Sequence, residues 1–414
     1  MAKNERYVVG IDIGTTRICC VVGEMKEDGE VHIVGLGEAV SRGLRKGIVV
    51  NLDTTVDAVK SAVEEAELMS GLNLESATVG IAGGHIRSFN SRGVVTVSGR
   101  DRAVSEDDVR RVMEAARAVS IPQDREILHV LPQEFVLDDQ NGIANPVGLV
   151  GSRLEANVHI VTAATTSVQN LVSCINRAGV EVREPVLEQL AVAESVLSED
   201  EKELGVALID IGGGTTDLAI FEKGSLWHTA VLAVGGDHFT NDLAVGLRTP
   251  IPDAERLKLK HGCALASLIE ENDAIEVPTV GGRKPRLLSH QVLAEILQPR
   301  AEEVFRLFHE EVVRAGFDKL LNAGVVLTGG GSLLPGINEV AEQIFDMPVR
   351  HGHPTGAEGL MQPASGAQYA TAVGMALYGA RYQKQPGHRL PLTIPHSGLR
   401  GVGGRVRAWF SEMF

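Results

Sequence analysis

A chain of 414 residues with 54 acidic against 39 basic side chains has a formal net charge of −15, which argues against general nucleic-acid binding by its body. Its 44% hydrophobic and 22% charged residues are an ordinary globular balance, enough for two domains or one large bilobal one, and exclude wholesale disorder. No stretch approaches the roughly 20 apolar residues that span a bilayer. The N-terminal MAKNERYVVGIDIG lacks an apolar leader and a cleavage pattern, and reads as a cytosolic start running straight into a strand. The four cysteines, Cys19, Cys20, Cys174 and Cys263, form no CxxC pair. The adjacent Cys19 and Cys20 would point to opposite faces of a strand, so the reading is buried free thiols in a reducing compartment rather than a metal site.

In chain order, the first element is a buried strand, Val8–Ile13, apolar and β-branched. Gly14 permits a tight turn and leaves the backbone bare, Thr15 and Thr16 add hydroxyls, and a second strand returns over Ile18–Gly23. The turn is thus a hairpin whose amides form a nest for phosphate oxygens. Asp12, at the strand end, stands where a hydrated Mg²⁺ bridging phosphates would be. Further on, the pattern predicts a strand over Gly93–Val97, a helix over Glu106–Val119 opened by a Ser105/Asp108 capping box, and strands over Arg125–Leu137 and Leu154–Val161. A helix is predicted over Val186–Leu197.

The opening unit then recurs. VALIDIGGGTTDLAIFEKG begins at Val206 and repeats the order of VVGIDIGTTRICCVVGEM, placing Asp210 opposite Asp12 and Gly212, Gly213, Gly214, Thr215 and Thr216 in the second turn. Either copy alone reads equally well as a mere tight hairpin turn. Two aligned copies, facing each other, would grip a polyphosphate from both sides, with Asp12 and Asp210 holding Mg²⁺ through water. Gly235 and Gly236 open a helical region reaching about Gly316. A strand from Val325 meets Gly329, Gly330 and Gly331, which let a flat base approach the backbone, before a helix over Ile337–Phe345. In the helix predicted over Gly366–Gly379, Gly366, Ala370 and Gly374 form a small-residue stripe for close helix crossing. Neither GxxxxGK[ST] nor a strand–GxGxxG–helix is present.

The C-terminal region reverses the charge: no Asp or Glu occurs from Gly359 to Ser411. Gln383–Gly404, with Pro386, Pro391, Pro395 and five glycines, reads as a linker. Beyond it Val406, Trp409, Phe410, Met413 and Phe414 fall on one helical face flanked by Arg405 and Arg407. Such a helix either docks on the body of the protein or lies at an anionic membrane surface, and the linker and local basicity favour the membrane.

The hairpin, hairpin and Gly-loop order resembles the actin, DnaK-chaperone and sugar-kinase superfamily. The phrases SRGLRKGIVVNLD (41–53), LHVLPQEFVLDDQNGIANPVGL (128–149), VLSEDEKELGVALIDIGGGTTDLAIF (196–221), DAERLKLKHGCAL (253–265) and VPTVGGRKPRLLSHQVLAEILQPR (277–300) are similar to the FtsA family of actin-like bacterial cell-division proteins along nearly the whole chain. The resemblance implies an α/β, actin-like (ribonuclease-H-like) two-domain ATPase fold with an inserted small α+β subdomain in the first half. It implies a first core subdomain over 1–83 and 162–203 completed by helix 366–380, an insert over 84–161, and a second core over 204–236 and 317–365. A helical subdomain over 237–316, a linker over 383–402 and an amphipathic membrane-binding helix over 403–414 complete the division. By the same resemblance ATP or ADP with Mg is the ligand, and Glu255 and Lys258 reach ribose and adenine; from the residues alone they are simply a solvated helix surface. The insert would contact other division proteins or the next subunit of a filament. The helical subdomain would take the C-terminal peptide of FtsZ, with Arg286 and Arg300 as contacts. The expected place is the cytoplasmic face of the bacterial inner membrane at the division site.

Glu188 or Gln189 at the start of the first connecting helix would position water for a slow, switch-like ATPase at most, or else simply start that helix. The alternatives are an actin-like scaffold of another membrane system, for cell shape or pilus assembly, and a metabolite kinase, for which no catalytic Asp or sugar pocket is evident. A DnaK-type peptide-binding domain is excluded by length.

Overall fold

The computed structural model describes residues 6–99, 101–270, 274–281, 284–359 and 364–384. Three antiparallel strands open the chain: β1 (Tyr7–Ile13), β2 (Arg17–Met25) and β3 (Val31–Val40). Both faces of β1 and β2 are buried, which their β-branched, near-continuous apolar sequence suits. Cys20 enters the core on one face and Cys19 the core on the other, and all four cysteines are free and buried. A short hairpin, β4 (Leu44–Arg45) with β5 (Ile48–Val49), leads to α1 (Leu52–Ser70). The Asn51 side chain caps α1 by accepting from Thr54 N at 3.2 Å, and Gly71, at φ 69°, ends it. α1 lies so close to β3 that a Cβ on Gly37 would stand 2.0 Å from Ala62 O.

β6 (Ser76–Ile81) runs parallel to β1. The chain then builds a separate sheet from β7 (Arg87–Thr96), β8 (Arg125–Leu137), β9 (Gln140–Ile143) and β10 (Arg153–Ala164), in the order β7-β10-β8-β9. α2 (Glu106–Arg117), between β7 and β8, buries Val112, Met113 and Ala116 against it. Ser105 and Asp108 form the capping box of α2. α3 (Thr165–Arg177) returns the chain to β11 (Glu181–Leu187), which adds parallel to β6.

The second half repeats this plan. After α4 (Glu188–Val196) and α5 (Glu199–Leu204), an antiparallel meander of β12 (Val206–Ile211), β13 (Thr216–Glu222) and β14 (Ser225–Leu232) forms. α6 (Gly236–Leu247), α7 (Ile251–His261), β15 (Ala274–Val277), β16 (Arg286–Ser289) and α8 (His290–Ala315) follow, sharing one core with the sheet through Leu243, Leu257, Leu297, Phe305 and Phe308. β17 (Val325–Thr328) then adds parallel to β12, α9 (Ile337–Phe345) crosses, and β18 (Val349–His351) adds parallel to β17. β19 (Ala357–Gly359) joins the edge of the first sheet, and α10 (Ala370–Lys384) runs between the halves. The two sheets read β11-β6-β1-β2-β3-β19 and β14-β13-β12-β17-β18, so the duplicated sequence unit carries a duplicated topology.

α4 and α10 cross at the centre. A Cβ on Gly374 would stand 2.0 Å from Ala191 O, and one on Gly10 would stand 2.6 Å from Ala372 O. Ser195 Oγ donates to Ala370 O at 2.7 Å across the same crossing. The inserted sheet also reaches the second half. His159 Nε2 lies 3.0 Å from Thr229 Oγ1, Ser88 Oγ donates to Thr229 O at 3.1 Å, and Gln133 Nε2 donates to Trp227 O at 3.1 Å.

Element ends differ from the sequence reading at several points; Val186 and Leu187, expected to open a helix, instead end β11 because they pair with Gly80 and Ile81 of β6. The first inserted strand begins at Arg87, six residues before Gly93, because its polar, exposed start is held by pairing with β10. β9, in the polar run QNGI, exists because Asp138 adopts φ 53° and turns the chain back on β8. The last helix is preceded by a 3₁₀ turn over Ala367–Tyr369 and continues to Lys384.

Candidate functional site

Each half contributes one tight turn at the end of its first strand, and the two turns meet. The turn after β12 is closed by Gly212 N donating to Thr215 O at 2.9 Å. A Cβ on Gly213 would stand 1.8 Å from Thr16 Oγ1, and one on Gly214 would stand 2.6 Å from Thr15 Oγ1. A side chain at the second tip would therefore collide with the threonines of the first tip. The start of α6 is tied to the same turn: Gly236 N donates to Gly212 O at 2.9 Å and Asp237 N to Gly213 O at 2.8 Å. At Gly235 a Cβ would approach Gly212 O to 2.6 Å. Thr216 is fully buried and its hydroxyl donates to Val234 O at 2.8 Å, so it builds the turn rather than facing the cleft.

The third glycine cluster closes on the second turn. Gly329, at φ 82°, would place a Cβ 2.1 Å from Asp210 Oδ1, and a Cβ on Gly331 would stand 2.3 Å from Ile211 Cγ2. Gly330 has room for a side chain: a Cβ there would meet nothing nearer than Gln368 Cβ at 3.8 Å. Packing explains the first and last of these glycines and leaves the middle one to the cleft.

Asp12, Glu188, Asp210 and Asp217 share this space and repel one another. Burial, then the Asp210 charge, push Asp12 up to about 7, with Arg17 only partly offsetting them. Burial pushes Asp210 up to about 6, against a hydrogen bond from Thr371 Oγ1 at 3.3 Å. Glu188 lies well above the usual carboxylate range through burial and the charges of Asp12, Asp217 and Asp210, and Asp217 does so through burial and Asp210. Asp12, Glu188 and Asp210 line the cleft wall, hemmed by protein atoms yet partly open to solvent, while Asp217 is buried. Gly80 makes room for Glu188: a Cβ there would stand 2.7 Å from Glu188 Cγ. Gln189 faces the other way, is buried, and donates from Nε2 to Asp217 Oδ1 at 2.7 Å, while its Oε1 finds no partner within the protein.

Among the described residues no three His, Cys, Asp or Glu side chains converge closely enough to ligate a metal directly. The donor set nevertheless fits a hydrated divalent cation: hard oxygen ligands, held too close for all to ionise unaided, with little positive charge among them. Arg17 is turned to Glu38, Nη1 donating at 2.8 Å, and stacks 5.2 Å from the Tyr369 ring centroid. The turns Gly14–Thr16 and Gly213–Thr215 lie beside those carboxylates, with backbone exposed at their glycines.

On α7, Glu255 and Lys258 point back to this cleft rather than to solvent. Lys258 Nζ lies 2.7 Å from Glu255 Oε2 and donates to Gly236 O at 3.0 Å and to Thr240 Oγ1 at 2.9 Å, and the Thr240 hydroxyl also meets Glu255. Their neighbours Arg256 and Lys260 are exposed. Arg286 donates to Leu247 O, and Arg300 grips Asp242 with bonds of 2.6 and 3.0 Å and pairs with Glu303, so both arginines anchor on or beside α6. Arg405, Val406, Arg407, Trp409, Phe410, Met413 and Phe414 lie outside the described residues.

Asp217, Arg17 and Thr371 escape the sequence reading. Asp217 pairs directly across from Asp210, where the first hairpin has Cys19 opposite Asp12. The available signal is a lone carboxylate inside the otherwise apolar strand TDLAIF.

A family model described as "Cell division protein FtsA" matches residues 207–374, and one described as an SHS2 domain inserted in FtsA matches residues 83–162. The chain is 50% identical over 381 residues to the cell division protein FtsA of Pseudomonas aeruginosa, covering 92% of this chain and 91% of that protein. It is 42% identical over 416 residues to FtsA of Neisseria meningitidis serogroup B, covering both in full. Among solved structures, a PilM–PilN type IV pilus biogenesis complex superposes with a TM-score of 0.66 at 16% identity, covering 90% of this chain and 98% of that one. MreB5 of Spiroplasma citri bound to ADP superposes with a TM-score of 0.54 at 16% identity, covering 92% and 99%. These structural likenesses establish the actin-like fold.

Proposed function

The chain belongs to the FtsA family of cell division proteins, and from that premise we propose that it is an ATP-binding, actin-like protein that polymerises at the cytoplasmic membrane, tethers the FtsZ ring to it and helps recruit later division proteins. The observation that carries the nucleotide reading is the meeting of two tight turns from opposite halves, each following an acid-ended strand, beside carboxylates that Arg17 only partly offsets. MreB5 of Spiroplasma citri, with the same fold, is bound to ADP in one structure and to AMPPNP in another, which supports the same ligand class here.

On this reading the backbone N–H groups of Gly14–Thr16 and Gly213–Thr215 hold the phosphates, that of Gly212 being spent on closing its own turn. Asp12 and Asp210 hold Mg²⁺ through water, and when bound it supplies positive charge against the phosphate oxygens. Gly329, Gly330 and Gly331 accept the adenine face, and Glu255 and Lys258 reach ribose and base. Glu188 lies at the open cleft among the charges of Asp12, Asp217 and Asp210, whereas Gln189 is buried and bonded to Asp217, so Glu188 is the residue to orient water. Gln189 holds Asp217 in place. A lone water-positioning group with no assembled base and acid fits slow, switch-like hydrolysis. Closing both turns on one triphosphate fixes the halves relative to each other, and filament subunits need such a defined shape.

The membrane and FtsZ roles rest on the family and on the terminal sequence RVRAWFSEMF. One amphipathic helix buries a few large side chains partially, at roughly 1.5–3 kcal/mol for each fully buried one, and must order itself. A single copy thus binds reversibly, and many copies on one filament bind firmly. Arg286 and Arg300 would meet the acidic FtsZ peptide on the helical subdomain, and the insert would meet later division proteins. Co-pelleting with anionic liposomes, with ATP and a fluorescent FtsZ C-terminal peptide, tests the reading. Peptide and protein should pellet together, and deleting 403–414 should leave both in the supernatant. Protein that pellets without capturing the peptide would remove the tethering role.

A further inference from the structure

The hairpin β4–β5 lies outside the residues assigned above, yet its tip touches the first turn. Its two-residue loop is Lys46-Gly47, at φ 53° and 74°, with Arg45 and Ile48 paired directly across. Positive φ at both central residues makes it a type I′ turn, in which Asn or Asp sits comfortably at the first position and lysine does not. Gly47 is dictated by contact: a Cβ would stand 2.7 Å from Gly83 Cα and 2.9 Å from Ala82 O. The Gly47 N–H donates to Thr15 Oγ1 at 3.3 Å. The tip is thus wedged between the end of β6 and the first turn, and a lysine occupies a strained position there.

Lys46 is partly buried and, among the described residues, makes no hydrogen bond or ion pair. Arg17 and Lys258, by contrast, are engaged. Arg17 pairs with Glu38, and Lys258 with Glu255, Gly236 O and Thr240 Oγ1. The groups assigned to adenine and ribose all belong to the second half, whereas this hairpin approaches from the first. The hairpin tip is held against the first turn by the Gly47–Thr15 hydrogen bond, on the first half's side of the cleft.

We propose that Lys46 is a phosphate-binding residue whose ammonium engages the terminal phosphate of ATP, so that the first half distinguishes ATP from ADP; this rests on the ATP-binding reading above. An ammonium on a flexible stem, with three rotatable donors, suits oxygens that come and go with the nucleotide state.

The test is equilibrium binding of Mg-ATP and Mg-ADP to the full chain and to its Lys46→Ala, Lys46→Gly, Lys46→Arg and Arg45→Ala variants, with thermal midpoints measured alongside. Lys46→Ala and Lys46→Gly should weaken ATP about tenfold or more and ADP less than about twofold, the size of one charge-assisted hydrogen bond. Lys46→Arg should recover most of the ATP affinity, and Arg45→Ala should change neither ligand. Because glycine suits the left-handed backbone, Lys46→Gly should melt no lower than wild type, which separates ligand loss from misfolding. Equal losses for ATP and ADP, or no loss for either, overturn the assignment while wild-type ATP binding stands. A wild-type chain that binds no ATP overturns the nucleotide reading and this proposal with it.

Discussion

Replacing Asp12 with asparagine should stabilise the ligand-free protein, increasingly as pH rises above about 4. Asp12 has an ordinary value of 3.8 and is pushed up to about 7 by burial and by Asp210. The folded protein therefore holds this proton more tightly than the unfolded chain does. The carboxylate costs nothing below about pH 4; the cost grows as pH rises through the window between 3.8 and about 7, then stays constant above it. A shift of about three units is worth about 4 kcal/mol at 1.36 kcal/mol per unit. Solvent in the open cleft screens about half of this, leaving about 2 kcal/mol. With an unfolding entropy near 2.1 cal/mol/K per residue, a cooperative unit of this size has about 0.8 kcal/mol/K, so the midpoint should rise by about 2–3 °C. Thermal unfolding of wild type and Asp12→Asn without nucleotide, from pH 5 to 8.5, reads the difference directly. It should grow with pH and level off near pH 7–8. With Mg-ATP present the order should invert, because only wild type can hold the cation. An Asp12→Asn protein that melts lower than wild type at pH 8 without ligand, or a difference independent of pH, would refute the reasoning.

Two further substitutions separate framework from chemistry. Gly374→Ala places a Cβ 2.0 Å from Ala191 O at the crossing of α4 and α10, where both partners are backbone and cannot swing aside. It should cost about 1–3 kcal/mol of stability, measured by denaturant unfolding, and an unchanged midpoint would show that the crossing has slack. Glu188→Ala should slow phosphate release from ATP by about 10- to 100-fold while leaving ATP affinity within about threefold, since it removes a water-orienting group and not a phosphate ligand. A loss of affinity with unchanged turnover per bound nucleotide would move Glu188 from water to ligand.

The two facing turns are legible in the sequence because everything that makes them is local. Asp12-Ile-Gly and Asp210-Ile-Gly-Gly-Gly each combine a strand, a turn and an acid within a few residues, and the repeat itself implies the duplicated sheet order. The α2 capping box at Ser105 and Asp108 is legible for the same reason. What escapes depends on partners distant in sequence. Glu188 and Gln189 are adjacent on one helix, and only the direction in which α4 leaves β11 decides that Glu188 faces Asp12 while Gln189 holds Asp217. Glu255 and Lys258 cannot be told from their solvated neighbours until α6 places Gly236 O and Thr240 beside them. The insert's contact with β14 through His159, Ser88 and Thr229 joins residues 70 and 141 positions apart, with no local pattern to announce it. Arg286 and Arg300 look free for an acidic peptide in the sequence, yet both make contacts beside α6 within the chain, Arg300 with Asp242 and Glu303. A peptide carboxylate there competes with Asp242.

Calorimetric titration of ATP into wild type and into the Asp12→Asn/Asp210→Asn double variant, each with Mg²⁺ and with EDTA, bears most directly on the clamp between the two halves. Wild type should bind at least about 100-fold more tightly with Mg²⁺ than without, equivalent to about 2.7 kcal/mol, and the double variant should show no such gain. Equal Mg²⁺-dependent affinity in both proteins would contradict the account.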